Sequence, residues 1–225
     1  MALSKLKYNS LNVTPAASKA VGFDAGADDL SASLSGGSTV FIKKLTASSD
    51  GTLSFVDGTS DVVLDDTYKE YLFTFKNMHP ATQGAEFTFN GSDDDSSHSY
   101  DVTKTTSMLT TFNHETSTET PQVYYNTDAD IAQSTAFQIL CYDVGADNDQ
   151  GCSGYLHLYN PSSTVYSTHF MGRFNSAHFG DYSQEYNMAG YFNITADITA
   201  LQFKFSTGDV DLGDICLYGL TIWQV

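Results

Sequence analysis

Residues 201–220 read LQFKFSTGDVDLGDICLYGL, two apolar segments around a middle rich in glycine and aspartate. In the first segment Leu201, Phe203 and Phe205 occupy every second position, as do Ile215 and Leu217 in the second. An apolar residue at every second position is typical of a β-strand with one buried face. The stretch therefore predicts two strands joined as a β-hairpin, with a solvated acidic turn between them.

The middle of this stretch also raises the alternative of a calcium site, because it carries Asp209, Asp211 and Asp214. A calcium loop of the helix-loop-helix kind needs acidic or amide ligands at its first, third and fifth positions. Here Gly213 stands at the fifth position, and the flanking segments have the period of strands. The sequence favours a turn, and no metal ion is expected.

The whole chain has the composition of a β-protein. It has 225 residues, with 15 Phe and 14 Tyr. That length is enough to bury a full core, and sandwiches of this size are often one domain. About ten short alternating segments follow residue 38 at the spacing of a sandwich or jelly roll. We predict an all-β fold, an antiparallel two-sheet sandwich of jelly-roll type preceded by an extended N-terminal arm.

The alternation also predicts which side chains form the core. One set of phenylalanines shares the buried faces of the predicted strands: Phe73, Phe75, Phe87, Phe89, Phe203 and Phe205. One segment leaves the type of element open. Residues 128–140, DADIAQSTAFQIL, are compatible with a short helix.

Two parts of the chain differ in composition. Residues 1–37 are rich in Ala, Ser, Gly and Asp and offer few core anchors, whereas residues 38–225 contain the predicted strands. We therefore divide the chain into an arm over 1–37, which docks on partner subunits, and a sandwich domain over 38–225. The apolar side chains of the arm are spaced as separate contacts, and we predict that they mediate assembly: Leu3, Leu6, Tyr8, Leu11, Val13, Val21 and Phe23.

The charge of the chain restricts its partners. Lys plus Arg number 10 against 27 Asp plus Glu, a formal charge of −17. Such a chain is repelled by phosphate backbones and by anionic lipid, so we expect no nucleic-acid partner. The first 20 residues lack an apolar core of signal-peptide length, and no apolar run is long enough to span a membrane. We expect synthesis in a cytoplasm and no membrane insertion.

The three cysteines are Cys141, Cys152 and Cys216. An odd number cannot pair completely within one chain, and the spacings do not fit a CxxC metal site. Reduced thiols are therefore expected.

His79 and the carboxylates of the chain are the candidates for catalysis. His79 precedes a proline, which favours a corner between two strands, and no nucleophile motif accompanies it. Glycoside hydrolysis needs a pair of carboxylates, and of the five glutamates only Glu70 and Glu86 fall within predicted strands. The acidic segments 90–101 and 143–154 lack the ligand alternation of a calcium loop. These residues identify no catalytic group, and we expect no cofactor, although glycoside hydrolysis stays open as an alternative.

One strand carries candidate binding residues. Tyr155, His157 and Tyr159 alternate with Leu156 and Leu158. If the leucines face the core, two phenol rings and an imidazole project outward. Exposed aromatic rings on a sheet suit either stacking against sugars or packing against another subunit, and both alternatives stay open here.

Five stretches of the chain, in this order, resemble a family of structural proteins from the virions of marine tailed bacteriophages. They are STVFIKKLTASSDGTLSFVDG, VVLDDTYKEYLFTFKNMHPATQGAEFTFNGS, YDVTKTTS, NDQGCSGYLHLYNPSS and ITALQFKFSTGDVDLGDICLYGL, within about residues 38–225. The resemblance implies an appendage or decoration component of the virion, located in the particle and not acting as an enzyme. It supplies no catalytic residue.

Three functional hypotheses follow. The first is a fibre-like subunit of a tail, neck or head appendage that attaches to the host. The second is a capsid decoration protein that clamps neighbouring capsid subunits. The third, from a different class, is a glycan-binding module or polysaccharide depolymerase. Both virion hypotheses imply contacts with other virion proteins and with copies of the same chain, and a host surface glycan is the further candidate partner.

Overall fold

The computed structural model describes residues 22–23, 30–31, 39–116 and 119–220, and these form strands and turns without a helix. Among them there is accordingly no helix that could span a membrane. The all-β prediction is confirmed. The strands are β1 (Gly22–Phe23), β2 (Leu30–Ser31), β3 (Thr39–Asp50), β4 (Leu53–Val56), β5 (Glu70–Pro80), β6 (Ala85–Ser92), β7 (Lys104–His114), β8 (Gln122–Tyr125), β9 (Gln138–Val144), β10 (Gly151–Tyr159), β11 (His169–His178), β12 (Tyr182–Phe192), β13 (Ala200–Phe205) and β14 (Val210–Leu220).

All pairings between these strands are antiparallel. Twelve of the strands form one continuous sheet, whose main path runs β3-β14-β5-β10-β11-β9-β6-β13-β4. The first four strands and the last four strands of this path form two groups, which β11 connects. The connection is uneven, because β11 pairs with β10 along its whole length but with β9 only at His178 and Val144. The far ends of the path, β3 and β4, also contact each other, so the sheet nearly closes on itself.

Beyond β11 the sheet continues as β12, β7 and β8. We call β11, β12, β7 and β8 the wing. Its ladders are long and regular, from His169 opposite Tyr191 to His178 opposite Tyr182 between β11 and β12. The wing therefore continues the group β3-β14-β5-β10, and it packs against β6 of the opposite group, where the ring centroid of Phe89 lies 5.2 Å from that of Phe170 on β11.

The core lies between the two groups of four strands and continues beneath the wing, where Phe170 and Phe192 are also buried. All six predicted phenylalanines are buried, so this prediction is confirmed. Phe203 of β13 is at the centre, and its ring centroid lies 5.5 Å from that of Phe73 and 5.0 Å from that of Phe75, both on the opposing strand β5. These rings meet edge-on or tilted, which is the favourable geometry for aromatic pairs.

The predicted hairpin over residues 201–220 is wrong. β13 pairs with β4 and β6, whereas β14 pairs with β3 and β5. The connection over residues 206–209 thus crosses from one group to the other and does not form a turn between neighbours. The residue alternation was read correctly, because Phe203 and Leu217 both face the core. Alternation fixes which face of a strand is buried, but it does not identify the neighbouring strand.

The helix considered over residues 128–140 is also absent. This segment forms turns, a single bridge between Ser134 and Lys104, and the start of β9. Its polar groups satisfy one another: the amide of Gln138 donates to the carbonyl of Ala129 at 2.8 Å, and Thr106 Oγ1 donates to Gln138 Oε1 at 2.5 Å. The segment covers the inner face of β7.

Most of the arm falls outside the described residues, including Leu3, Leu6, Tyr8, Leu11, Val13 and Val21. Phe23 belongs to β1, where its backbone lies opposite Leu30 of β2.

The three cysteines, in contrast, are described. Cys141, Cys152 and Cys216 are buried and free, as predicted. The pKa of Cys141 is raised by its burial and by the neighbouring Cys152.

Candidate functional site

The outward face of β10 carries the three residues singled out from the sequence. Leu156 and Leu158 are fully buried, so Tyr155, His157 and Tyr159 face away from the core. Their rings form a ladder, with 5.5 Å between the centroids of Tyr155 and His157 and 6.0 Å between those of His157 and Tyr159. Tyr155 is the most open of the three, with 41% of its surface exposed.

The strand register aligns Tyr155 with residues of the wing. Across the sheet, Tyr155 lies opposite Arg173 of β11, which lies opposite Asn187 of β12. The row continues to Leu109 of β7 and ends at Tyr125 of β8. Four strand spacings separate its two tyrosines, which is about 19 Å. The row thus has a tyrosine ring at each end, and a guanidinium, an amide and a leucine side chain lie between the two rings.

A second row forms the floor of a groove. Met171, Ala189 and Ser107 are register partners on β11, β12 and β7. Because Ala189 and Ser107 are small, the surface is low here, and a depression of about 520 Å³ lies between this row and the row of Tyr155. An adjoining depression of about 310 Å³ shares Met171, Ala189 and Ser107 and is bounded by His169 and Tyr191. We call the two depressions together the wing groove.

A polar cluster in the wing groove is held by one carboxylate oxygen. Glu185 Oε1 accepts from Nε of Arg173 at 2.6 Å and from Nδ2 of Asn187 at 3.0 Å. The bond to Arg173 lowers the pKa of Glu185, and the bond to Asn187 lowers it further. A carboxylate with a lowered pKa is a hydrogen-bond acceptor and is poorly suited to act as a general acid. The cluster thus presents oriented polar groups near neutral pH.

The aromatic ends of the wing groove are also fixed. The hydroxyl of Tyr125 donates to Asp130 Oδ2 at 2.7 Å, and this bond raises the pKa of Tyr125. On the other side, the rings of His169 and Tyr191 lie 5.5 Å apart. Rings that are positioned before a ligand arrives lose little conformational entropy on binding.

The other two sequence-derived residues lie beside the wing groove, towards β5. His157 Nδ1 lies 2.5 Å from Oε1 of Glu70. The nearby Tyr159 has a raised pKa, first because of its burial and then because of the charge of Glu70. Of the candidates on β10, Tyr155 is therefore the one that lines the larger depression.

Sequence reasoning missed the contributions of the wing to this site. Met171, Arg173 and Asn187 lie on β11 and β12, but no pattern in the sequence shows that these strands lie beside β10. Leu109 and Tyr125 lie on β7 and β8, where the sequence shows no clear apolar alternation. The usable signal was the exposed apolar position: Met171, for example, alternates with the buried Phe170 and Gly172.

The three aspartates of the opening stretch are dispersed. Asp211 and Asp214 lie within β14, and the connection contains only Asp209. Asp214 Oδ1 accepts from Thr46 Oγ1 at 2.6 Å and lies 3.2 Å from Lys44 Nζ. Asp211 Oδ2 lies 3.6 Å from Nδ1 of His79. His79 is the second-to-last residue of β5, close to the point where the strand ends. Two of the three carboxylates, those of Asp211 and Asp214, therefore already have protein partners.

We expect the chelator EDTA and added Ca²⁺ to leave the melting temperature of the chain unchanged, because Asp211 and Asp214 already have protein partners. Differential scanning calorimetry with and without each reagent checks this. The matched control is the variant with Asp209, Asp211 and Asp214 changed to asparagine. A rise in melting temperature with Ca²⁺ in the parent chain, absent from the control, would contradict the expectation.

A second titratable cluster lies where β9 meets β11. Glu86 is half-buried, and its pKa is raised by burial and by the charge of Asp143. Burial lowers the pKa of the neighbouring His178, whose Nε2 lies 3.4 Å from Asp143 Oδ2.

In the acidic segment 90–101, a carboxylate accepts hydrogen bonds from backbone and hydroxyl groups of the same segment. In the segment 90–101, Asp94 Oδ1 accepts from the backbone and the hydroxyl of Ser96, each at 2.8 Å. The hydrogen bond from the hydroxyl of Ser97, together with these bonds from Ser96, lowers the pKa of Asp94. In the described ranges, His, Cys, Asp and Glu do not gather into a set of three that could hold a metal ion.

Comparisons with protein-family models, with curated proteins and with solved structures gave no match to this chain.

Proposed function

We propose that the protein is a structural subunit of a bacteriophage virion, part of a fibre-like appendage of the tail, neck or head. The observation that carries the proposal is the strand order. The groups β3-β14-β5-β10 and β4-β13-β6-β9 support a jelly roll, because the chain changes group at every step except between β6 and β9. Double-sheet jelly rolls are the architecture of many viral structural domains and of lectins. A fold is shared by several functions, so this support is by analogy.

Two further observations favour a subunit over an isolated enzyme. One is that the five stretches within residues 38–225 resemble virion proteins of marine tailed phages and occur in the same order as in those proteins. Exposed apolar side chains also lie away from the wing groove, among them Val165 and Tyr166 on the loop before β11 and Leu212 on β14. Such side chains suit contacts between subunits. The arm over residues 1–37 completes the proposal as the segment that docks on a neighbour.

Immunogold electron microscopy tests the proposal. Antibodies against the chain should label the appendages of purified virions whose genome encodes it, and mass spectrometry should find the chain in the same gradient fraction as the capsid protein. Deleting residues 1–37 should abolish incorporation while the far-ultraviolet circular dichroism keeps its β-rich shape. Even labelling over the whole capsid would instead favour a decoration protein. Absence of the chain from purified virions would overturn both virion hypotheses.

A further inference from the structure

The wing groove has no part in the assembly proposed above. Its residues come from five strands, β10, β11, β12, β7 and β8, and its two depressions of about 520 and 310 Å³ lie in the size range of small-ligand sites. We propose that the wing groove binds a neutral oligosaccharide. The occupant does not depend on the virion assignment, so the two proposals can fail separately.

The apolar surfaces of the wing groove match the apolar faces of sugar rings. Tyr155 and Tyr125 stand at the ends of one row, and Tyr191 bounds the other side. Aromatic rings present a large apolar body together with a polar tip, and the C–H groups of a pyranose pack well against such a body. Met171, with 53% of its surface exposed, adds an adaptable apolar contact on the floor.

The polar cluster matches sugar hydroxyls, each of which both donates and accepts. Arg173 uses Nε for Glu185, and none of the hydrogen bonds among the described residues engages its terminal nitrogens. Asn187 likewise uses Nδ2 for Glu185, which leaves Oδ1 as an acceptor. Planar guanidinium and amide groups pair with two neighbouring oxygens at once, so a cluster of this kind discriminates between orientations of hydroxyl pairs.

Charge selects a neutral ligand over the other candidate occupants. The guanidinium of Arg173 is already neutralised by Glu185, and the chain carries a net charge of −17. Anionic polysaccharides, nucleic acids and anionic lipid are therefore repelled.

Native gel electrophoresis of the full chain through gels containing a polysaccharide tests the inference. The neutral probes are dextran, mannan, galactan and xylan, and the anionic probes are alginate and heparin. At least one neutral probe should retard the chain, and neither anionic probe should. Tyr155→Ala, which removes one ring, and Ser107→Trp, which fills the exposed floor, should each weaken the retardation at least about tenfold in apparent Kd. Phe41→Ala, at an exposed ring on β3 outside the wing groove, is the matched control and should leave the retardation unchanged.

Circular dichroism and the melting temperature of each variant separate loss of binding from loss of the fold. Arg173→Lys provides a second measurement, because it keeps the charge and removes the planar fork, and it should also weaken binding. No retardation by any neutral probe, retardation by an anionic probe alone, or binding unaffected by the variants would each overturn the inference. So would an oligomer in analytical ultracentrifugation that Ser107→Trp dissociates, because a second copy would then be the occupant.

Discussion

Replacing Phe203 with alanine is expected to lower the free energy of unfolding by about 3–5 kcal/mol, the usual cost of removing a buried aromatic ring. The ring lies at the centre of the core and contacts the rings of Phe55, Phe73, Phe75, Phe87 and Phe89. These partners come from both groups of strands, so the cavity would open where the two groups meet. A loss of this size is a large part of the stability of a typical domain.

Urea denaturation measures the effect as a lower midpoint with an unchanged slope. The matched control is Phe41→Ala, the same chemical change at an edge strand, where Phe41 is 57% exposed and contacts one ring, that of Tyr218. This control should cost less than about 1 kcal/mol. Equal losses in the two variants would show that the aromatic core does not hold the two groups of strands together.

Replacing Lys104 with methionine is expected to stabilise the chain at neutral pH. Lys104 is fully buried at the start of β7, and its Nζ donates to the carbonyl of Ala136 at 2.5 Å. Burial lowers its pKa from 10.5 to about 8, against the opposing charge of Asp101. This depression corresponds to a cost of about 3 kcal/mol for the charged form. Losing the hydrogen bond costs about 1 kcal/mol, so the net gain is about 2 kcal/mol at pH 7.

The gain should depend on pH with a definite sign. Below pH 8 Lys104 is protonated in both the folded and the unfolded chain, and the cost of burying its charge is fully present. Between pH 8 and 10.5 the unfolded chain binds more protons than the folded chain, so the parent becomes more stable as pH rises. The stability advantage of Lys104→Met should therefore shrink over this range and reverse near about pH 10, where the lost hydrogen bond outweighs what is left of the burial cost.

Urea denaturation of parent and variant at pH 7, 8.5 and 10 measures this difference, and the titration of the tyrosines cancels between the two chains. Lys69→Met is the control, because Lys69 is exposed and its partner Asp66 lies on the surface. A surface ion pair of this kind contributes at most about 1 kcal/mol. A constant advantage of Lys104→Met at all three pH values would contradict a charged, buried lysine.

The sequence was sufficient for the class of fold and for much of the core, but not for the neighbours of each strand. Phe203 and Leu217 were correctly placed on buried faces, because alternation reports burial directly. The pairing of β13 with β4 and β6 depends on contacts between residues that are distant in the chain. A four-residue connection is compatible both with a hairpin and with a crossing between two layers, and nothing local distinguishes the two.

The candidate site was predictable only in part for a related reason. The sequence does not mark β7 as a strand, because three of its inward positions are polar. Lys104, Thr106 and Thr110 are buried and hydrogen-bonded there. An alternating pattern is visible only where the inward residues are apolar. Tyr155 was found because Leu156 and Leu158 mark its strand clearly, whereas the residues opposite it belong to strands up to about 50 positions away.

The wing has a consequence for transplanting its groove to another protein. Its strands come from two separate excursions of the chain: β7 and β8 lie between β6 and β9, while β11 and β12 lie between β10 and β13. The two excursions lie side by side and meet at one ladder, in which β12 pairs with β7. Neither excursion alone contains the row from Arg173 to Tyr125, and removing either would expose an unpaired edge. A chimera that carries the groove must therefore exchange residues 104–125 and 169–192 together and also supply Tyr155 on the adjoining strand β10.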